Sequence, residues 1–297
     1  MADDGKTRII VNPSSGGGRA ARRMTSARAV LDEALPHVDW HVSRSAQHLS
    51  DLCHDAAARQ FARVIVAGGD GTVHHAVRGL VHTQTALGII PSGTGNDFAA
   101  AAGIATDAVA AARMSIARDA VPVDVGAVNG VPFCCVAGIG LDTPALEYIE
   151  RSSIRPRRLA YRVAAIRALF AYPGVDIRIQ AAGATVRERV LFAAFCNTPT
   201  YAGGNPLAPG AGIFDGQLDH CVFRDQPLLE RIATFGQMRR GRHLGRPGVR
   251  SGAGAAFRVD SDAPVPITLD GELTTLATPA HIVALPGALR LIAGRAG

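Results

Sequence analysis

Over roughly its first 120 residues the chain alternates short apolar runs with longer amphipathic stretches. Thr7–Val11, Val38–Val42, Arg63–Ala67 and Ala86–Ile90 have the length and β-branched content of strands. Arg19–Leu35 and Ala46–Gln60 read as helices between them, the second with Asp51 and Asp55 on one face. Ala-rich helical segments follow Thr72 and Asp97. Such strand–helix alternation predicts a parallel sheet with helices on both faces. After about residue 120 the pattern turns β-rich: Val121–Val128, Pro132–Ala137, Val175–Gln180, Ala184–Asn197, Gly216–Phe223, Ile267–Leu269 and His281–Leu285. Two helical stretches interrupt it, Pro156–Tyr172 and Pro227–Arg240, and the Gly/Arg-rich stretch Gly241–Ala256 predicts a mobile loop.

Three Gly-rich loops leave the carboxyl ends of predicted strands, where open α/β sheets bind ligands. They are Asn12-Pro13-Ser14-Ser15-Gly16, Gly68-Gly69-Asp70-Gly71-Thr72 and Pro91-Ser92-Gly93-Thr94-Gly95-Asn96-Asp97. Glycines at a strand-to-helix turn admit a ligand close to the backbone, and the first amides of the helix suit a phosphate. Asp70 and Asp97 add one carboxylate to each of the last two loops. A carboxylate beside a phosphate cradle suits Mg²⁺, or a hydroxyl whose proton must be accepted.

These loops, with Pro122–Gly126, Gly138–Asp142, Tyr201–Gly204, Asp215–Asp219 and Leu269–Glu272 in that order, resemble the diacylglycerol kinase catalytic-domain family. This is the bacterial soluble lipid kinase type, related to sphingosine kinases and NAD kinases. The resemblance covers nearly the whole chain. It implies an α/β + β protein of two domains: a Rossmann-like nucleotide domain over residues 1–120 and a β-sandwich-like domain over 121–285. The active site is expected in the interdomain cleft, and the tail 286–297 is expected to return to the first domain.

The resemblance also implies roles. ATP is expected on Asn12, Pro13, Ser14, Ser15, Gly16, Ser43, Gly69, Asp70, Gly71, Thr72, Val73, His74, His75 and Thr94. Asp70, Asp97 and Asp124 are expected around Mg²⁺ and the transferred phosphate, with Asn96 orienting Asp97. Glu272 is the expected base, with Asp70 and Asp270 as alternatives. A second, structural Mg²⁺ or Ca²⁺ is expected on Asp215, with carbonyls of Gly212 and Gln217; a plain Asp-Gly turn is the competing reading. Two departures stand out. Val73-His74-His75 occupies the place of the family's Asn-Glu pair, and Phe214 precedes Asp215 where an acid is usual. The adjacent histidines have no further ligand in the local sequence and read as solvated or stacked on nucleotide rather than metal-bound.

Bulk properties narrow the partners. A net charge of +6 favours anionic ones: nucleotide, acidic membrane or nucleic acid. No aromatic-interleaved basic motif supports the last. Arginines cluster at Arg151, Arg155, Arg157, Arg158 and Arg162, and again at Arg239, Arg240, Arg242, Arg246 and Arg250. Each cluster reads either as an anionic-lipid dock or as a solvated surface. The five cysteines show no metal spacing and predict buried, reduced thiols. No apolar stretch reaches bilayer length and the N-terminus is polar, so a cytoplasmic protein, peripheral at the inner membrane face, is expected. A homodimer would be ordinary for the family. A kinase of a soluble acceptor such as NAD, and a non-catalytic binding protein, are the alternative functions.

Overall fold

The four leading apolar runs become adjacent parallel strands: β1 (Thr7–Val11), β2 (Val38–Val42), β3 (Arg63–Gly68) and β4 (Ala86–Pro91). Their order is β2-β1-β3-β4. This computed structural model describes residues 5–35, 37–154 and 157–294. The helices of this unit are α1 (Arg19–Ala34), α2 (Ala46–Ala58), α3 (Asp70–Leu80), α4 (Asp97–Ala101) and α5 (Ala108–Ala117). Helix α1 packs with α5, and α2 with α3. That pairing follows from right-handed crossovers whose direction reverses after β2. Strands β3 and β4 are buried along nearly their whole length, as a sheet covered on both faces requires. The reversal lies between β1 and β3, so the carboxyl ends of those two strands mark the expected ligand crevice.

One charge lies inside this apolar sheet. Arg8 of β1 is 1% exposed. Its Nε donates to Asp39 Oδ2 at 2.8 Å, and Nη1 donates to Leu52 O at 2.7 Å and Asp55 Oδ2 at 2.8 Å. Its guanidinium also lies 4.7 Å above the Phe61 ring. The arginine therefore staples β2 and α2 to β1.

The chain divides into two compact units. The first holds the chain up to Val125, residues Ile213–Gly216 and the stretch from Leu285 onward. The second holds Gly126–Gly212 and Gln217–Ala284. Strand β5 (Val121–Val128) leads from the first unit into the second. The second unit contains β6 (Val131–Phe133), β7 (Val136–Gly140), α6 (Asp142–Arg151), α7 (Arg157–Ala171), β8 (Val175–Ala181), β9 (Ala184–Cys196), β10 (Leu218–Arg224) and α8 (Leu228–Met238). It continues with β11 (Val249–Gly254), β12 (Ala256–Ser261), β13 (Pro266–Leu269), β14 (Glu272–Ala277) and the start of β15 (Ala280–Leu291). The pairing runs β14-β13-β7-β9-β8-β12-β15, with β10 added to β9 and β11 to β10. Strand β15 then carries the chain back into the first unit, where Leu291 pairs in parallel with Leu87. Phe133, Phe195, Phe257 and Ile282 centre the second core. Each such buried side chain contributes about 2–3 kcal/mol.

Three sequence expectations change here. Pro132–Ala137 is two strands, not one, because the Cys134 and Cys135 amides turn to a side chain instead of a neighbouring strand. Gly241–Ala256 is not loop throughout: β11 occupies Val249–Gly254 and pairs antiparallel with β10. Its Gly/Ser-rich sequence has little strand propensity, and the distant β10 supplies the pairing. Helix α6 was not anticipated.

Candidate active site

The Asn12, Gly68 and Gly93 loops of the first unit meet at the carboxyl ends of its strands. The backbone N–H of Asn12 donates to Ala67 O at 3.0 Å, so the loop after β1 begins against β3. Asn12 Nδ2 donates to Thr72 Oγ1 at 2.9 Å, and its Oδ1 accepts from the Ser14 amide and hydroxyl at 3.2 and 2.8 Å. Gly16, Gly17 and Gly18 all have left-handed φ, of 61°, 69° and 86°, a run that only glycine sustains easily. Ser43, buried at the end of β2, donates its N–H to Val11 O at 2.9 Å. The loops after β3 and β4 touch backbone to backbone. A Cβ on Gly69 would lie 2.8 Å from the Gly93 Cα, and 3.4 Å from Ser15 Oγ.

Asp70 and Asp97 occupy the first turns of α3 and α4. Asp70 Oδ2 accepts from the Asn96 N–H at 2.7 Å. Asn96, at φ 58°, accepts from the Gly93 N–H at 2.9 Å through its own Oδ1. Asn96 was expected to orient Asp97; the contacts seen hold the Gly93 loop and Asp70. Burial, then the charge of Asp97, push the Asp70 carboxyl up to about 6, against the opposing backbone amides of residues 96–98. Asp70 Oδ1 is buried without a hydrogen-bond partner among the described residues. An orphaned carboxylate oxygen beside a second buried carboxylate fits a divalent cation, whose charge would relieve the repulsion. Thr94 is exposed at the lip of the loop and Pro13 is exposed beside Asn12. The side chains of Thr72, Val73 and His74 are buried, so what α3 turns outward at its start is backbone. His74 is thus not solvated; it stands edge-on to His75, ring centres 5.0 Å apart.

Asp124, expected around Mg²⁺, also has a structural task. Its Oδ2 accepts from Gly216 N–H at 2.7 Å and its Oδ1 from Gly287 N–H at 2.8 Å. It ties β5 to the two segments that return to this unit. Asp215 is exposed on the 213–216 turn of the first unit, whereas Gly212 and Gln217 belong to the second. No cluster of three His, Cys, Asp or Glu ligand atoms among the described residues includes Asp215.

In the second unit Asp270 and Glu272 flank the β13–β14 turn. Asp270 Oδ1 accepts from the amides of Cys135 and Val136 at 2.7 and 2.9 Å. Its Oδ2 accepts from the Cys134 amide at 2.8 Å and the Cys134 thiol at 3.2 Å. A carboxylate holding four donors is a structural clamp and a poor base. These bonds favour Glu272 over Asp270 as the base and explain the break between β6 and β7. Glu272 begins β14 half-buried. None of the five cysteines is in a disulfide and all are buried, and burial raises the thiol of Cys134 well above its ordinary value.

One group near this turn was quoted in the sequence motifs without a role. Asp142 Oδ2 accepts from the Tyr201 hydroxyl at 2.9 Å. Burial pushes its carboxyl up to about 6, against the Tyr201 and Thr268 hydroxyls. A Cβ on Gly138 would lie 2.8 Å from Asp142 Oδ2 and 2.7 Å from Thr268 Oγ1, and one on Gly271 3.5 Å from the Tyr201 hydroxyl. The signal in the sequence was a carboxylate closing an apolar, Gly-rich strand.

Residues 6–128 match the model of the diacylglycerol kinase catalytic domain, and residues 135–293 that of the YegS C-terminal NAD kinase beta sandwich-like domain. The chain belongs to the diacylglycerol kinase family. It is a kinase. The diacylglycerol kinase of Bacillus subtilis is 30% identical over 272 residues, 90% of this chain and 89% of that one. The diacylglycerol kinase of Mycobacterium tuberculosis is 29% identical over 300 residues, 99% of this chain and 96% of that one. A solved structure from Bacillus anthracis superposes with a TM-score of 0.83 at 25% identity, covering 97% of this chain and 95% of that one. A crystal structure of a diacylglycerol kinase from the same organism superposes at 0.76 and 23% identity, covering 97% of each chain, and shows the shared fold.

Proposed function

We propose that this kinase transfers the γ-phosphate of ATP to the hydroxyl of a lipid alcohol, diacylglycerol first among them, with Mg²⁺ at Asp70 and Asp97. The observation that carries the reading is the orphaned Asp70 oxygen beside Asp97, at the point where the two glycine loops touch. The curated relatives named diacylglycerol kinase support the choice of acceptor. When bound, the metal neutralises charge on the phosphate oxygens.

The rest is done by the chain. The backbone of the Gly69 and Gly93 loops and the first turn of α3 receive the phosphates. Asn12 and Thr72, bonded to each other, keep the loops after β1 and β3 in one register. Asp70 must be ionised to serve the metal, which its upward-shifted carboxyl permits above about pH 6. Glu272 accepts the acceptor's proton, with the Asp270 clamp holding its turn.

The test is Mg-dependent transfer of labelled γ-phosphate to a panel of lipid alcohols in mixed micelles, with NAD as the soluble control. Transfer to diacylglycerol that is lost in Glu272→Gln is expected. Transfer to NAD alone, or ATP binding without transfer to any acceptor, would overturn the reading.

A further inference from the structure

Helix α7 is amphipathic in the wrong sense for a helix that meets only water. Its inward face is small: Ala160, Ala164 and Ala168 are at most 5% exposed. Its outward face is large and apolar: Leu159, Ile166 and Phe170 are 47, 59 and 55% exposed. With Val163 these fall at i, i+4, i+7 and i+11, a single stripe along the helix. Helix α8 repeats the arrangement, with Leu229 81% exposed and Leu228 and Ile232 beside it. Of the nine large hydrophobic side chains exposed among the described residues, eight lie on α7, α8 and the turn after α8. An apolar concentration of this kind marks an interaction surface.

The two helices are held together. Arg231 of α8 donates to Leu169 O at 3.1 Å, in the last turn of α7, and to Tyr172 O at 3.0 Å just beyond it, and pairs with Asp225. The exposed apolar side chains of α8 are thereby anchored beside the end of α7. Charge identifies what meets it. Residues 151–172 and 226–250 contain 12 of the chain's 31 basic residues and one of its 25 acidic ones, Glu230. The remainder of the chain is net negative. Arg167, Arg239, Arg240 and Arg242 are exposed around the apolar stripes; Arg155 lies outside the described residues, as do the side chains of Arg157, Arg158 and Arg162.

We infer that α7 and α8 form a docking surface that lies on an anionic lipid bilayer, the apolar stripes entering the headgroup boundary and the arginines meeting the lipid phosphates. Resting on the lipid-acceptor reading, this names where the chain meets its substrate's solvent. A second copy of the same face would set like charges against each other, whereas a bilayer offers an apolar layer under an anionic plane. Arginine stems reach across such a boundary while their heads stay in water. No helix among the described residues is long and apolar enough to cross a membrane, so the helices lie on it.

The experiment is flotation of the full chain with phosphatidylcholine vesicles, with and without phosphatidylglycerol. The wild type, Ile166→Ser/Phe170→Ser and Leu229→Ser are compared, and folding is checked by circular dichroism. The wild type is expected to float with the anionic vesicles, and each variant to lose about tenfold or more in partitioning. Equal flotation of wild type and variants would overturn the inference. So would variants that change only the oligomeric state. Transfer to a short-chain, monomerically dispersed diacylglycerol, run in parallel, tests the kinase reading separately. It should be unchanged in the variants, and its complete absence would sink that reading while flotation still decides the docking.

Discussion

Gly69 and Gly93 approach so closely that a Cβ on Gly93 would stand 2.6 Å from the Gly69 Cα. Real Cβ atoms do not come so near backbone, so Gly93→Ala must push the loops after β3 and β4 apart. The strain should lower stability by about 1–3 kcal/mol. The larger effect should be on nucleotide, because the backbone there is what receives phosphate. Phosphate transfer is expected to fall by about a hundredfold or more, and Mg-ATP should no longer raise the melting temperature. A variant that keeps ATP-dependent stabilisation would show that the loop contact is packing alone.

Asp70 gives a prediction with the opposite sign for stability. Burial pushes its folded carboxyl up to about 6, above the ordinary aspartate value of 3.8. Between those values the folded state binds the proton more tightly than the unfolded state. Stability contributed by this group is therefore present at low pH and lost as pH rises through about 6. Asp70→Asn has no charge to desolvate. It should stabilise the ligand-free protein at pH 8 by about 3 kcal/mol and at pH 4.5 by only about 1 kcal/mol. Transfer should meanwhile fall by about a thousandfold. Thermal melts of both proteins across this pH range, without metal or nucleotide, make the comparison.

Asp270 and Glu272 are two acids on one turn with separable consequences. Asp270 accepts three backbone amides and a thiol, so Asp270→Asn replaces one acceptor oxygen with a donor that faces N–H groups. A loss of about 2–3 kcal/mol follows. Glu272→Gln removes no such clamp and should melt within about 0.5 kcal/mol of the wild type. Transfer should be abolished in Glu272→Gln, whereas Asp270→Asn should recover much of its rate on cooling. Paired melting and rate measurements settle it, and an inactive Asp270→Asn of full stability would point to Asp270 as the base instead.

How far these arrangements were legible in the sequence depends on whether the signal was local. The strands that carry the glycine loops are short apolar runs, and their placement at strand ends followed from periodicity. That Asn12 bonds Thr72, 60 residues away, needed only the rule that loops at a sheet's switch point converge. The tasks of Asp124 and Asp270 were not legible. Each bonds backbone amides 92 or more residues distant, and nothing in Pro122–Gly126 or Leu269–Glu272 encodes those partners. Helix α7 was legible as a helix, but not its orientation. Alanines and large apolar residues both score as hydrophobic, and only packing shows that the alanines face inward.

Asp142 and Tyr201 supply the last prediction. The Asp142 carboxyl titrates at about 6 because burial, which disfavours its charge, is partly offset by the Tyr201 and Thr268 hydroxyls. Tyr201→Phe deletes one of those donors and keeps the ring volume. Burial should then push the carboxyl higher still. A raised folded value means stability is lost as pH rises through it, so the loss should extend to higher pH in the variant. At pH 8, where the wild-type carboxylate is ionised and bonded, Tyr201→Phe should melt with a deficit of about 1.5–3 kcal/mol. Near pH 5 both carboxyls are protonated and the gap should shrink to about 1 kcal/mol. Melting temperatures of the two proteins from pH 5 to 8 provide the measurement. A gap that stays constant with pH would mean that Tyr201 acts through packing and not through the charge on Asp142.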